Sequence, residues 1–180
     1  MVRVGAAEGH QRTALADVAL TGAASLWFLA TLAGQTVFFF YIAAFYGPPT
    51  FSGNFQGWDE NPFLRKGYIE GDETGNLAFA AHVIVAAIVA FCGMIQLVPQ
   101  VRVRAAALHR WNGRIFLFAA TAAAVSGLFL VWMRGEIESV SNATAISLNG
   151  ALILFFAALA WSKAVQKDFA AHRRWAMRLF

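Results

Sequence analysis

Two stretches of the chain carry residues able to do chemistry. The first reads His109-Arg110-Trp111-Asn112-Gly113-Arg114-Ile115-Phe116, the second His172-Arg173-Arg174-Trp175-Ala176-Met177-Arg178-Leu179-Phe180. Aligned on tryptophan, Arg110/Arg174, Trp111/Trp175, Arg114/Arg178 and Phe116/Phe180 are identical, and Ile115/Leu179 nearly so. An imidazole can ligate a metal or heme iron, or move a proton near neutral pH. Arginines a turn away can pair with an anion such as a heme propionate, a lipid phosphate or a quinone head group. Tryptophan anchors at a membrane interface and stacks on flat ligands. If the copies lie side by side, His109 and His172 approach each other across a cofactor, as a bis-histidine heme b in a helical bundle requires. The competing reading is structural: basic and aromatic residues at one end of membrane spans are what topology alone demands. Charge bias asks for basic residues, however, and not for the same ordered string twice.

The elements that hold these motifs are apolar. Of 180 residues, 59% are hydrophobic and only 13% charged, where soluble domains carry about twice that charged fraction. The apolar residues come in blocks, and a bilayer core needs about 20 of them per helix. That test gives four spans, roughly 17–46, 77–98, 115–133 and 144–162, in one membrane domain covering 1–180. The expected fold is all-α: an integral membrane bundle of four transmembrane helices, plus the start of a fifth or an interfacial C-terminal helix.

Charge sets the expected orientation. With the N-terminus cytoplasmic, the inner segments hold Arg3, Arg12, Arg102, Arg104, Arg110, Arg114, Lys163, Lys167, Arg173, Arg174 and Arg178; the outer ones hold only Arg65, Lys66 and Arg134. Eleven against three is a strong positive-inside bias, and it points to a multi-pass protein of the cell inner (plasma) membrane. Asp59, Glu60, Glu70, Asp72, Glu73, Glu136 and Glu138 fall outside. Basic residues clustered at span ends argue against a nucleic-acid partner. The expected partners are the lipid bilayer and other membrane subunits. Cys92, the single cysteine, excludes an intrachain disulfide.

The run from Val18 to Tyr46 is too long for a signal-peptide h-region and reads as an uncleaved first helix of about 43 Å, ended by Gly47-Pro48-Pro49. The external loop, 47–76, reads as irregular, with Asp59-Glu60 and Asp72-Glu73 as a solvated acidic face rather than a cation site. In the second span His82, Ala86, Val89, Gly93 and Gln96 share one polar, small face expected to look into the bundle. His82 reads either as an interhelical hydrogen bond or as a ligand or proton handler; Gln96 reads as interhelical glue. Pro99 ends that helix, and Gln100 to Leu108 reads as a tight basic turn before a third helix near His109. Ala119, Ala123 and Gly127 make a small-xxx-small stripe for close helix contact. Asn142-Ala143-Thr144 has the form of a glycosylation sequon. Asn149 and Gly150 are the polar positions of the fourth span, and a further helix begins at about His172.

Gly93-Met94-Ile95-Gln96-Leu97 with Pro99, Arg102, Arg104, His109-Arg110-Trp111, Gly113-Arg114, and His172-Arg173-Arg174-Trp175 with Arg178 resemble a bacterial multi-pass membrane-protein family known only as a domain of unknown function. The resemblance covers about residues 76–180; it implies a multi-pass membrane fold and supplies no activity. Members of that family continue past the second motif into further apolar sequence. A more distant likeness is to cytochrome b561-type and ferric-reductase-type bundles, which place histidines on neighbouring helices. It implies one heme b through His109 and His172, flanked by Arg110, Arg114, Arg174, Arg178, Trp111 and Trp175. The fourth span has no histidine, so a two-heme set of four ligands is not supported, and His82 stands roughly 20 Å from the motif by helix rise. No catalytic set and no metal cluster is identified. The leading expectation is an accessory or structural subunit of a membrane complex, with inner-face motifs that anchor and pack the bundle. The alternative is a b-type heme electron-transfer protein. A transporter would want ionisable groups near the midplane, where the spans hold little beyond Gln35.

Overall fold

The computed structural model describes the backbone of residues 2–60, 67–134 and 139–180, and side chains from Leu15 onward. Pro62, Arg65, Lys66, Glu136 and Glu138, and the side chains of Arg3 and Arg12, therefore lie outside the described residues. Every regular element among them is helical: α1 (Val2–Tyr41), a π-helical turn (Ile42–Tyr46), α2 (Gly47–Ser52), a 3-10 turn (Phe55–Glu60), α3 (Glu73–Leu97), α4 (Pro99–Arg104), α5 (Ala106–Met133), α6 (Val140–Val165) and α7 (Phe169–Ala176). Four helical stretches are long and apolar enough to cross a membrane: Leu15–Ser52, Glu73–Leu97, Ala106–Met133 and Val140–Val165. The fold is an all-α integral membrane bundle.

By its internal contacts the chain divides into two compact units, Met1–Gly34 and Gln35–Phe180. The first is helical from Val2, and its Leu15, Val18, Leu20, Leu26 and Leu29 are exposed. Such all-round exposed apolar surface is stable in lipid or against another apolar chain. The second unit contains the bundle. In it α3 pairs with α5, α5 with α6, and α6 with α7.

Small residues bring α3 and α5 together. A Cβ on Gly127 would sit 3.3 Å from His82 Cε1, and one on Gly113 would sit 3.2 Å from Gln96 Nε2. Ala119, Ala120 and Ala124 are buried along α5. The same device serves α5 and α6, where a Cβ on Gly150 would meet Leu128 at 3.2 Å. Asn149 beside it is exposed.

Gly47-Pro48-Pro49 does not end the first long helix, contrary to the expectation from sequence. The chain widens into the π turn, the Gly47 N–H donates to the Ile42 carbonyl, and α2 follows with proline in its first turn. Proline is tolerated in a first turn because its missing N–H is not needed there, and a π turn relieves the clash of the ring with the preceding carbonyls. The helix stops only at Gly53, whose φ of 74° is left-handed. Part of the segment after it is regular as well, the 3-10 turn Phe55–Glu60. Trp58 is fully buried, stacks on Phe55 at 4.5 Å and donates from Nε1 to Thr50 Oγ1 at 3.1 Å. With Ile42, Tyr46, Ala80 and Val83 it forms a small hydrophobic core that caps this end of the bundle.

The basic turn after α3 is helical too. Pro99 starts α4, since the φ it fixes suits a first helical position, and α5 begins at Ala106, three residues before His109. The α6–α7 reversal takes three residues, Gln166, Lys167 and Asp168. Lys167 adopts a left-handed φ of 61°. Asp168 N–H donates to Lys163 O and Lys167 N–H to Ala164 O, the pattern of a Schellman cap. Asp168 then caps α7 by accepting from Ala171 N–H, so α7 begins at Phe169 rather than at about His172. Eight residues are too few to cross a bilayer.

Candidate functional site

Four elements meet at the motif-bearing end: the last turns of α3, the first turns of α5, the last turns of α6, and α7 with its following residues. At their centre the final residues of the two motifs stack. Phe116 and Phe180 have ring centroids 5.2 Å apart and planes 11° from parallel. They lie over Gly93 of α3, where a Cβ would be 3.1 Å from Phe180 and 3.5 Å from Phe116. Glycine gives the rings room there, since an added Cβ would press on Phe180 unless that ring shifted by a few tenths of an ångström. The Gln35 side-chain oxygen reaches the same spot, 3.7 Å from that position.

Around the stack, buried polar groups are satisfied by backbone carbonyls. Asn112, buried, donates from Nδ2 to the Cys92 carbonyl at 2.8 Å. Gln96 donates from Nε2 to the His109 carbonyl at 2.8 Å, tying the end of α3 to the start of α5. His172 Nδ1 lies 2.9 Å from the Ala160 carbonyl, tying α7 back to α6. A carbonyl only accepts, so His172 carries a proton on Nδ1. His109 lies near His172, Arg102 and Arg110. Its Nδ1 is buried and has no hydrogen-bond partner among the described residues.

The arginine–tryptophan pairs repeat their geometry. Arg114 lies over the Trp111 ring at 4.7 Å and Arg178 over the Trp175 ring at 4.5 Å. Their surroundings differ. Trp111 is 63% exposed, whereas Trp175 packs on Phe155 and Phe156 of α6, 6.2 and 5.9 Å between ring centres. Arg110, Arg114, Arg174 and Arg178 are all exposed. The motif residues thus divide into an inward set (His109, His172, Trp175, Phe116, Phe180) and an outward one.

His82 stands apart, with Nδ1 2.9 Å from Ser126 Oγ on α5. No group of three or more His, Cys, Asp or Glu among the described residues is arranged to hold a metal ion.

Sequence reasoning missed Arg134. Its side chain, 4% exposed, forms an ion pair with Asp72 at 3.2 Å. It also donates to the Gly67 carbonyl at 3.1 Å and to Asn76 Oδ1 at 2.6 Å. Its guanidinium lies 5.7 Å from the centre of the Phe79 ring. Asn76 in turn exchanges two bonds with the backbone of Ile69. Asp72 is thus half of a brace between the end of α5 and the start of α3, not part of a purely solvated acidic face. The one signal was a basic residue on the side where basic residues are few, three against eleven.

Fold and site together define a multi-pass helical membrane protein with a duplicated His/Arg/Trp motif packed at one end of its bundle. A family model described as a predicted membrane protein (DUF2306) matches residues 79–180, which include all of α5, α6 and α7 and both motif copies. The chain belongs to that family. No curated protein and no solved structure matches it.

Proposed function

We propose that this chain is an accessory, non-catalytic subunit of a membrane complex, and that its paired motifs fasten α7 to the bundle. The observation that carries this reading is the Phe116–Phe180 stack over Gly93. Equivalent residues of the two copies are spent on each other, filling the place between the helices where a flat cofactor would otherwise lie. The Gln96 and His172 bonds to carbonyls of neighbouring helices serve the same fastening. The exposed apolar residues of α1 supply surface for lipid or for another membrane chain. The charge bias supports an inner-membrane location with the N-terminus cytoplasmic and the motif end inside.

A second reading, a b-type heme carrier, draws on one observation: His109 Nδ1 is buried without a partner among the described residues, while His172 is bonded to a carbonyl through Nδ1. A histidine whose other nitrogen donates to a carbonyl is oriented as ligands usually are. A reduced-minus-oxidised spectrum of protein produced with ample heme separates the two. A flat spectrum from folded protein is the expected result. A b-type band that disappears in both His109→Ala and His172→Ala would refute the accessory reading and name the axial pair.

A further inference from the structure

The outward face of α7 has no role in the fastening just described. Arg173, Arg174, Met177 and Arg178 line an open recess of about 530 Å³. All three arginines are exposed, and among the described residues no carboxylate pairs with any of them. Arg178 makes one hydrogen bond, at 3.4 Å, to the Arg174 carbonyl, and its guanidinium is held over Trp175.

The position of this shallow recess follows from how α7 folds back. His172 is bonded to Ala160, and Trp175 packs on Phe155 and Phe156. The α7 helix therefore runs alongside the last turns of α6, not beyond them. Ala160 lies five residues before the end of α6 at Val165, about 8 Å along the axis. The arginines thus stand beside the apolar part of a membrane-spanning helix, exposed and without a counter-charge among the described residues. Charged groups at such depth find an anionic partner or reach toward the interface. Three guanidiniums around one recess suit an anion with several acceptor oxygens, and at a bilayer surface that is the lipid phosphate.

We propose that Arg173, Arg174 and Arg178 form a binding site for the phosphate of an anionic membrane phospholipid. The site is independent of the accessory reading, because none of the three touches the phenylalanine stack. Native mass spectrometry of the delipidated full chain in detergent, titrated with phosphatidylglycerol, tests it. The wild type is expected to retain a phosphatidylglycerol adduct and to bind phosphatidylcholine, whose choline cation opposes the arginines, more weakly. Each Arg→Gln change should weaken binding about five-fold and the triple change about 100-fold. Arg102→Gln with Arg104→Gln, exposed on α4 outside the recess, should leave it unchanged. If the triple variant does not fold, the single variants at exposed Arg174 and Arg178 decide. Undiminished binding in them, equal loss in the α4 control, or equal retention of phosphatidylcholine would overturn the proposal. Displacement of the lipid by low-millimolar inorganic phosphate would also overturn it, making this a free-phosphate site.

Discussion

Replacing Arg134 with Met should loosen the cap on the bundle. The substitution keeps a long apolar stem beside Phe79 and removes every donor. Two groups then lose their partner: the Gly67 carbonyl, which is buried, and Asp72 Oδ2. Asn76 Oδ1 keeps its bond from the Ile69 N–H. A buried acceptor left unmet costs about 1–3 kcal/mol. The Asp72 side chain is 33% exposed, so water recovers part of its loss and that share is about 1 kcal/mol. The total comes to about 2–4 kcal/mol. For a chain of this size that lowers the unfolding midpoint by roughly 5–12 °C. Arg134→Lys retains the charge but cannot reach three acceptors from one ammonium, and should lose about half as much. The assay is thermal unfolding in detergent followed by tryptophan fluorescence, with limited proteolysis of the stretch between Gly53 and Asp72 as the local readout. A Met variant that melts within a degree of wild type and is cut no faster would refute the brace.

Three further changes test the packing by the same melting assay. Gly93→Leu drives a side chain into Phe116 and Phe180, and should destabilise by about 1–3 kcal/mol through overpacking; an unchanged midpoint would mean the rings are not fixed there. Asn112→Leu strips the Cys92 carbonyl of its buried donor and should cost about 1–2 kcal/mol, measured against Arg110→Gln as an exposed neighbour. Lys167→Gly should raise the midpoint by the equivalent of about 0.5–1 kcal/mol, because glycine adopts the left-handed φ of 61° without strain. A drop would show that this reversal is not held in that conformation.

The helical membrane fold was legible because long apolar blocks leave a chain few other choices in a bilayer. That the third span makes a close helix contact was legible for a related reason, since Ala119, Ala123 and Gly127 lie at helical spacing and small residues let two helices meet without a clash; that the partner is α3 was not. The helix through Pro48 and Pro49 was not legible. It depends on a π turn, which has no compositional mark, and on Trp58 finding a buried place across from Tyr46. The candidate site was half legible. Sequence gave the recurring string, and with it the recurrence of phenylalanine at its last position. It could not give that Phe116 and Phe180 face each other, because that contact depends on how far α7 folds back along α6. Arg134 was hidden by its ordinary explanation as a loop charge. Only the distances to Gly67, Asp72 and Asn76 give it a different part.

The stack of Phe116 on Phe180 also bears on how the protein is made. The α3–α5 pair can form once α5 has been made, before α6 and α7 follow. Phe116 belongs to that early pair, yet its covering ring arrives only after α6 has been threaded into the membrane and α7 has turned back. Until then the notch above Gly93 is greasy, open and presented at the end of a half-built bundle. Phe180 is the ring that closes it in the folded chain.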